Sequence, residues 1–250
     1  MDFIAIVFFF FLGAVLASFI GVLAERVHTG EQIISGRSRC NSCNRQLTTL
    51  DLMPVVSWLL SRGRCRTCKA RVPALYLASE VLLGVLFVVS YIQFGLSVQL
   101  GLLLLILCVL LFVVLYDLRH MIVPPAASLA LVALSSVYAY VAWGTLLIGY
   151  VLIVSGGIAL GFFLLFALSR GRAMGLGDSP VALALSLVAG PQALAGLLFS
   201  FWAGAFIGIG ILVSRPKGTR MGIEVPFVPF LALGYLLALF TQWNPLFLTF

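Results

Sequence analysis

Charge is scarce in this chain. Only 9% of its residues are charged and eight are acidic, while 62% are hydrophobic and the mean hydropathy is +1.18. Soluble domains carry about 25% charged residues, so a soluble globular fold is excluded. Basic residues are missing before the first apolar run: the chain opens Met1-Asp2, and Glu25-Arg26 follows that run directly. A secretory signal would have a basic start and a small-residue cleavage site, so the segment reads as a retained membrane helix. No glycine-rich nucleotide fingerprint follows a strand-like segment, and no internal repeat stands out.

What the chain does have is long apolar runs, at 3–24, 74–94, 97–116, 124–143, 146–168, 180–191, 193–213 and 226–241. Runs of about 20 residues are membrane helices. The expected fold is an all-α polytopic membrane protein of about eight transmembrane helices, the sixth short and bounded by Gly and Pro. A first helix at 1–24, a cytoplasmic insert at 25–73 and a membrane domain at 74–250 make up the chain.

The net charge of +7 does not indicate a nucleic-acid partner, because of where the cations fall. All fifteen Lys and Arg lie in 26–71, at Arg119, at Arg170 and Arg172, and in 215–220. Counting alternately through eight spans places these four intervals on one side. The opposite connections, near Phe94–Val98, Trp143–Thr145 and Gly190–Gln192, carry none. By the positive-inside rule the basic side is cytoplasmic and both termini lie outside.

Two of the few acids sit at hydrophobic boundaries on that side. Asp117 closes the third run, and Asp178 follows the turn Gly175-Leu176-Gly177 before the sixth. Acids at membrane depth are costly and hence functional by default. Two that can meet suggest a shared proton and an activated water, the chemistry of an aspartic protease. Gly175 and Gly177 would leave room beside the acid for an extended substrate backbone. A proton-coupled transporter also uses membrane acids, but places them near the midplane on interrupted helices.

The insert at 25–73 holds Cys40-x2-Cys43 and Cys65-x2-Cys68, paired thiols at the spacing of a structural zinc site. A short insert with few apolar residues needs such a staple. On a reducing side, permanent disulfides are disfavoured. Cys108 reads as a small apolar residue of a membrane helix, and His28 and His120 as solvated neighbours of basic residues. Glu80, within the second run, should face other helices or a polar cavity. Gly156-Gly157-x3-Gly161 and Gly204-x3-Gly208 suit close helix packing.

In this order the motifs resemble those of the type IV prepilin peptidases, membrane aspartic proteases of the Gly-x-Gly-Asp class. The resemblance rests on Ala17-Ser18-Phe19-Ile20, both cysteine pairs, Pro54 to Leu60 and Arg62-Gly63-Arg64-Cys65. It continues through Tyr116-Asp117-Leu118-Arg119-His120, Gly175-Leu176-Gly177-Asp178 and Glu224-Val225-Pro226-Phe227-Val228-Pro229-Phe230. It implies Asp117 and Asp178 as the catalytic pair and Cys40, Cys43, Cys65 and Cys68 as zinc ligands. It also implies a place in the bacterial cytoplasmic membrane, with prepilins or pseudopilins as substrates. Their leader would be cut at the cytoplasmic face, and the new N-terminus methylated with S-adenosylmethionine. No motif marks the site of that cofactor; the insert 25–73 and the basic loop 214–225, with Glu224, are the expected lining. Pro124-Pro125, Ser179-Pro180 and Gly21 depart from the family pattern, so a peptidase without methyl transfer remains open. A presenilin-like protease shares the two aspartate motifs, but its Pro-Ala-Leu element follows the second aspartate; here Pro73-Ala74-Leu75 precedes the first.

Overall fold

The computed structural model describes residues 3–30, 38–40, 42–172, 174–214, 225–243 and 245. It is all-helical, with no strand among the described residues beyond two isolated bridges. The long helices are α1 (Phe3–Thr29), α3 (Ala74–Phe94), α4 (Val98–His120), α5 (Pro125–Ser169), α6 (Asp178–Ala189), α7 (Ala193–Ser214) and α8 (Val228–Thr241); α2 (Val56–Ser61) is a short helix in the insert. In hydrocarbon every backbone N–H and C=O must find a partner within the chain, and an apolar helix meets that need alone. Among the described residues five segments are long and apolar enough to cross a membrane: Phe3–Val27, Ala74–Phe94, Val98–His120, Pro125–Ser169 and Asp178–Ile211. The chain forms two compact units that meet in sequence between Leu96 and Ser97.

In the amino-terminal unit α1 packs along α3. The backbones approach closely at Gly13 and Gly84: a Cβ on Gly13 would lie 2.7 Å from the Leu83 carbonyl oxygen. Small residues let apolar helices meet this way in lipid, where dispersion contacts replace the hydrophobic effect. Phe9 stacks on Tyr91 near one end, with ring centroids 4.6 Å apart. Toward the other end the Tyr76 hydroxyl donates to Glu25 at 2.9 Å. Compactness thus groups α3 with α1 and the insert.

In the carboxy-terminal unit each helix boundary has a local cause. Ser97 caps α4 by accepting the Leu100 N–H at 3.1 Å, as N-cap serines do. Pro125 opens α5 at a position that needs no N–H. The 45 residues of α5 would make a rod about 68 Å long, twice a bilayer's apolar thickness. It is not a rod. Gly144 leaves the helical region (φ 57°, ψ −173°), a conformation that favours glycine. Ala139, before the break, and Val151, after it, share one buried cluster with Leu187 of α6, so the chain folds back at Gly144. The Trp143 indole donates to the Leu187 carbonyl at 3.0 Å and covers Gly190, where a Cβ would overlap it.

α7 and α8 close the unit. Gly234 of α8 lies against Ser200 and Gly196 of α7 with no room for a Cβ. The Tyr235 hydroxyl, deeply buried, pairs with the Ser186 hydroxyl of α6 at 2.8 Å. α8 packs against α4, α6 and α7 together.

Candidate active site and metal centre

Asp117 lies in the last turn of α4 and Asp178 is the first residue of α6; both are buried, 5% and 8% exposed. They are close enough for their charges to act on each other. α5 and α8 each pack on both α4 and α6 and hold the two acid-bearing ends together.

Each acid is fixed by its own device. Asp117 Oδ2 accepts the backbone N–H of Val228 at 3.2 Å. That N–H opens α8, where a helix leaves its first donors unsatisfied and a negative charge is favoured. The next residue, Pro229, has no N–H to offer. Asp178 donates its own N–H to the Gly175 carbonyl at 3.3 Å, closing the turn. One residue on, the Ser179 hydroxyl donates to the Ala159 carbonyl at 2.8 Å and pins the start of α6 to α5.

The two glycines of the turn differ. A Cβ on Gly177 would sit 2.6 Å from Val123 Cβ, so Gly177 is required by packing against the segment after α4. A Cβ on Gly175 would meet only the Asp178 carboxylate, at 3.6 Å. Room beside the acid therefore exists at Gly175 alone. A ring cluster lies next to the pair: Phe227, the residue before Val228, has Phe201 at 5.6 Å and Phe162 at 6.1 Å. His120, at the end of α4, packs against Tyr116 with the rings tilted and their centroids 4.7 Å apart, while Cys108 sits half-buried within α4.

The four cysteines of the insert converge, with all Sγ atoms within 4.8 Å of one another. Cys40 and Cys68 are 3.8 Å apart, the sulfur–sulfur distance that ~2.3 Å bonds to one tetrahedral zinc require. The same turn is made twice. The Cys40 and Cys65 N–H groups donate to the Arg45 and Ala70 carbonyls, and Asn44 and Lys69 return N–H groups to the Cys40 and Cys65 carbonyls. Both Asn44 and Lys69 take positive φ. Backbone N–H groups of Cys68 and Thr67 pull the Cys65 thiol down to about 6, while burial and the neighbouring thiols push Cys68 up to about 11. The donor set and geometry fit zinc.

Asp51 clasps the two turns, and nothing in the thiol spacing pointed to it. It pairs with Arg45 from the first turn and, at 3.2 Å, with Arg66 from the second. The Thr48 N–H and hydroxyl also donate to it, at 3.1 and 2.9 Å. The readable signal was Thr48-x2-Asp51, a capping-box spacing. Glu80 is buried in α3 and accepts the Val55 N–H at 2.7 Å and a bond from Ser18. Val55 has φ 62°, a costly conformation for a β-branched residue. That strain is held by the same carboxylate, which ties the insert to the membrane helices. The His28 side chain and all of 215–224, including Glu224, lie outside the described residues.

Comparison with known proteins follows the two units. Residues 11–94 match the bacterial peptidase A24 N-terminal domain, and 104–213 match the type IV leader peptidase family. The chain is 35% identical over 229 residues to a prepilin leader peptidase/N-methyltransferase of Aeromonas hydrophila, covering 83% of this chain and 74% of that one. The chain belongs to the type IV leader peptidase family. A Bacillus subtilis protein of the same description is 29% identical over 242 residues, 92% of this chain and 91% of its own length. One from Stutzerimonas stutzeri is 30% identical over 88% of this chain and 77% of its own. No solved structure matches. With its apolar helices and these relatives, the family member is a multi-pass bacterial membrane protein.

Proposed function

We propose that this enzyme cuts the leader from type IV prepilins or pseudopilins with Asp117 and Asp178, then methylates the new N-terminus with S-adenosylmethionine. The observation that carries the peptidase reading is the meeting of two buried carboxylates from α4 and α6 inside the family's matched region. One carboxylate, ionised, takes a proton from a water attacking the scissile carbonyl. The other, protonated, donates to the developing oxyanion, and a proton then reaches the leaving amine. The pair acts as a unit, so both members are needed. Gly175 leaves one side of the Asp178 carboxylate open to an extended backbone, and the neighbouring Phe227 cluster offers apolar surface to the residues beside the cut.

The finer topology is part of the same reading. Eight crossings follow if α5 crosses twice about Gly144 and α6 and α7 cross separately about Gly190, both glycines at positive φ. The ends of α4 and α5 near the acids carry Arg119, Arg170 and Arg172, which argues for a cytoplasmic site. The division into 1–24, 25–73 and 74–250 is the functional one: first helix, metal-binding insert and peptidase domain. Cys40, Cys43, Cys65 and Cys68 would hold one structural zinc, closing a small insert that has little core of its own.

The test is direct. The purified wild-type enzyme, incubated in detergent with a prepilin and S-adenosylmethionine, should give a product lighter by the leader and heavier by one methyl group in mass spectrometry. An uncut prepilin would refute the peptidase reading; a cut but unmethylated one would refute only the methyl transfer.

A further inference from the structure

The insert does not stand clear of the membrane helices. Its Val55 N–H donates to Glu80 at 2.7 Å, and Glu80 lies six residues into α3, counted from Ala74. At a helical rise of ~1.5 Å per residue, Val55 sits about 9 Å below the start of that membrane helix. Ser18 of α1 bonds the same carboxylate, nine residues short of Val27, where the α1 span ends. The segment around Val55 thus reaches the depth of interfacial helices, about 5–10 Å into the headgroup and acyl boundary.

The side chains on this segment suit that depth. Leu59 and Leu60, at the end of α2, are 58% and 74% exposed, and Leu52 and Met53, just before Val55, are exposed as well. Leu82 and Val85 of the α3 membrane span are exposed to a similar degree. Trp58 turns inward: its indole lies over Gly63, where a Cβ would be 2.6 Å from the ring. The backbone donors are also spent within the chain. Val56 donates to the Pro54 carbonyl at 2.6 Å, Ser57 to Met53 at 3.0 Å and Leu59 to Val55 at 3.1 Å. Pro54 has no N–H, and Val55 uses Glu80. A loop in water has no need of this, whereas one against acyl chains does. Cations follow at once. Arg62, Arg64 and Lys69 are exposed and form no ion pair among the described residues, while Arg66 is held by Asp51.

We propose that residues 52–60 form an interfacial anchor. Met53, Leu59 and Leu60 enter the acyl boundary of the leaflet, and Arg62, Arg64 and Lys69 bind anionic lipid headgroups. Charge complementarity and continuity with the α1 and α3 spans favour a lipid surface over a protein partner. Four large apolar side chains facing water on one short segment would be an aggregation liability. Cations on long stems beside such a face are the pattern of an interfacial segment, their heads reaching the phosphates. The Glu80 bond then sets how deep the anchor lies. The two thiol turns flank it in sequence, so the anchor also holds the metal centre against the membrane surface.

The experiment uses the full chain with its zinc, reconstituted in lipid vesicles. Leu60→Trp places an indole on the exposed face, and its emission is read as the difference from wild type. Phosphatidylcholine brominated near the top of its acyl chains should quench that emission at least ~2-fold more than lipid brominated near the chain ends. Aqueous iodide should have little access to it. Leu59→Trp takes over the measurement if Leu60→Trp loses its zinc. Replacing roughly a third of the lipid by phosphatidylglycerol should strengthen the quenching, and Arg62→Gln with Lys69→Gln should abolish that gain. Full access to iodide with no quenching by brominated lipid would overturn the anchor. Protection that comes only when prepilin is added would overturn it too, and assign the face to substrate. Quenching indifferent to phosphatidylglycerol would overturn the headgroup contact.

Discussion

The backbone N–H of Val228 donates to Oδ2 of Asp117 at 3.2 Å, joining the start of α8 to the end of α4. One group thus serves both the candidate catalytic acid and the packing of the unit. The two roles can be separated because asparagine retains a carbonyl oxygen that accepts the same bond. Asp117→Asn should therefore leave the melting temperature near wild type and reduce leader cleavage by roughly 10³-fold or more. Asp117→Leu should lose cleavage and also destabilise the unit by about 1–3 kcal/mol, the cost of a buried N–H without a partner. Thermal melts alongside a mass-spectrometric cleavage assay check both. Cleavage by a folded Asp117→Asn at the wild-type rate would falsify the dyad.

Gly177 and Val123 make a second separable pair. A Cβ at 177 would sit 2.6 Å from Val123 Cβ, so Gly177→Ala should displace Asp178, one residue on. Cleavage should fall ~10-fold or more, since small misplacements of a reacting group are costly. Adding Val123→Ala should restore most of it. The same rate for the single and double variants would show that Gly177 serves something other than this packing.

In the insert, one zinc per chain should be measured by elemental analysis, and Asp51→Asn should release it faster to a chelator. Burial pushes the Asp51 carboxyl up, but the Thr48 donors and then Arg45 and Arg66 outweigh it and hold it below the usual carboxylate range. The sign follows: a depressed folded-state value means the clasp is fully present above the ordinary Asp range near ~3.9 and is lost as pH falls through the lower folded value. In wild type, chelator-driven release should hence accelerate in that acid window, and Asp51→Asn should lack that step. An identical acid profile in both proteins would exclude the clasp.

Reporter fusions at Gly95 and Gly144 should score outside the cytoplasm and one at Gly171 inside it. Gly95 and Gly144 face open space, where an added Cβ would meet nothing within 4 Å, so a reporter joined after either glycine has room. A cytoplasmic signal at Gly144 would mean that the fold-back within α5 is not a second crossing.

The fold class was legible in composition alone. A backbone in hydrocarbon has one local solution, the helix, so apolar runs mark helices without reference to any partner. A helix formed at each of the eight runs, the fourth and fifth joined by the break at Gly144. The thiols were legible too, because C-x2-C is a local turn and the structure makes it twice. The two aspartates stood out because acids are rare beside apolar runs.

Their surroundings were not legible. That Val228 would offer its N–H to Asp117, that Asp51 would bridge Arg45 and Arg66, and that Glu80 would hold Val55 all join residues distant in sequence. Such pairings depend on which helix faces pack together, and periodicity says little about faces when a helix is apolar all round. Nor could the sequence tell the two glycines of the turn apart; only Val123, brought alongside by the end of α4, makes Gly177 a packing requirement and leaves Gly175 beside the carboxylate. Local chemistry was written in the order of residues, whereas the partners that aim it were decided by helix packing, where close approach at glycines and buried hydrogen bonds outweigh any local preference.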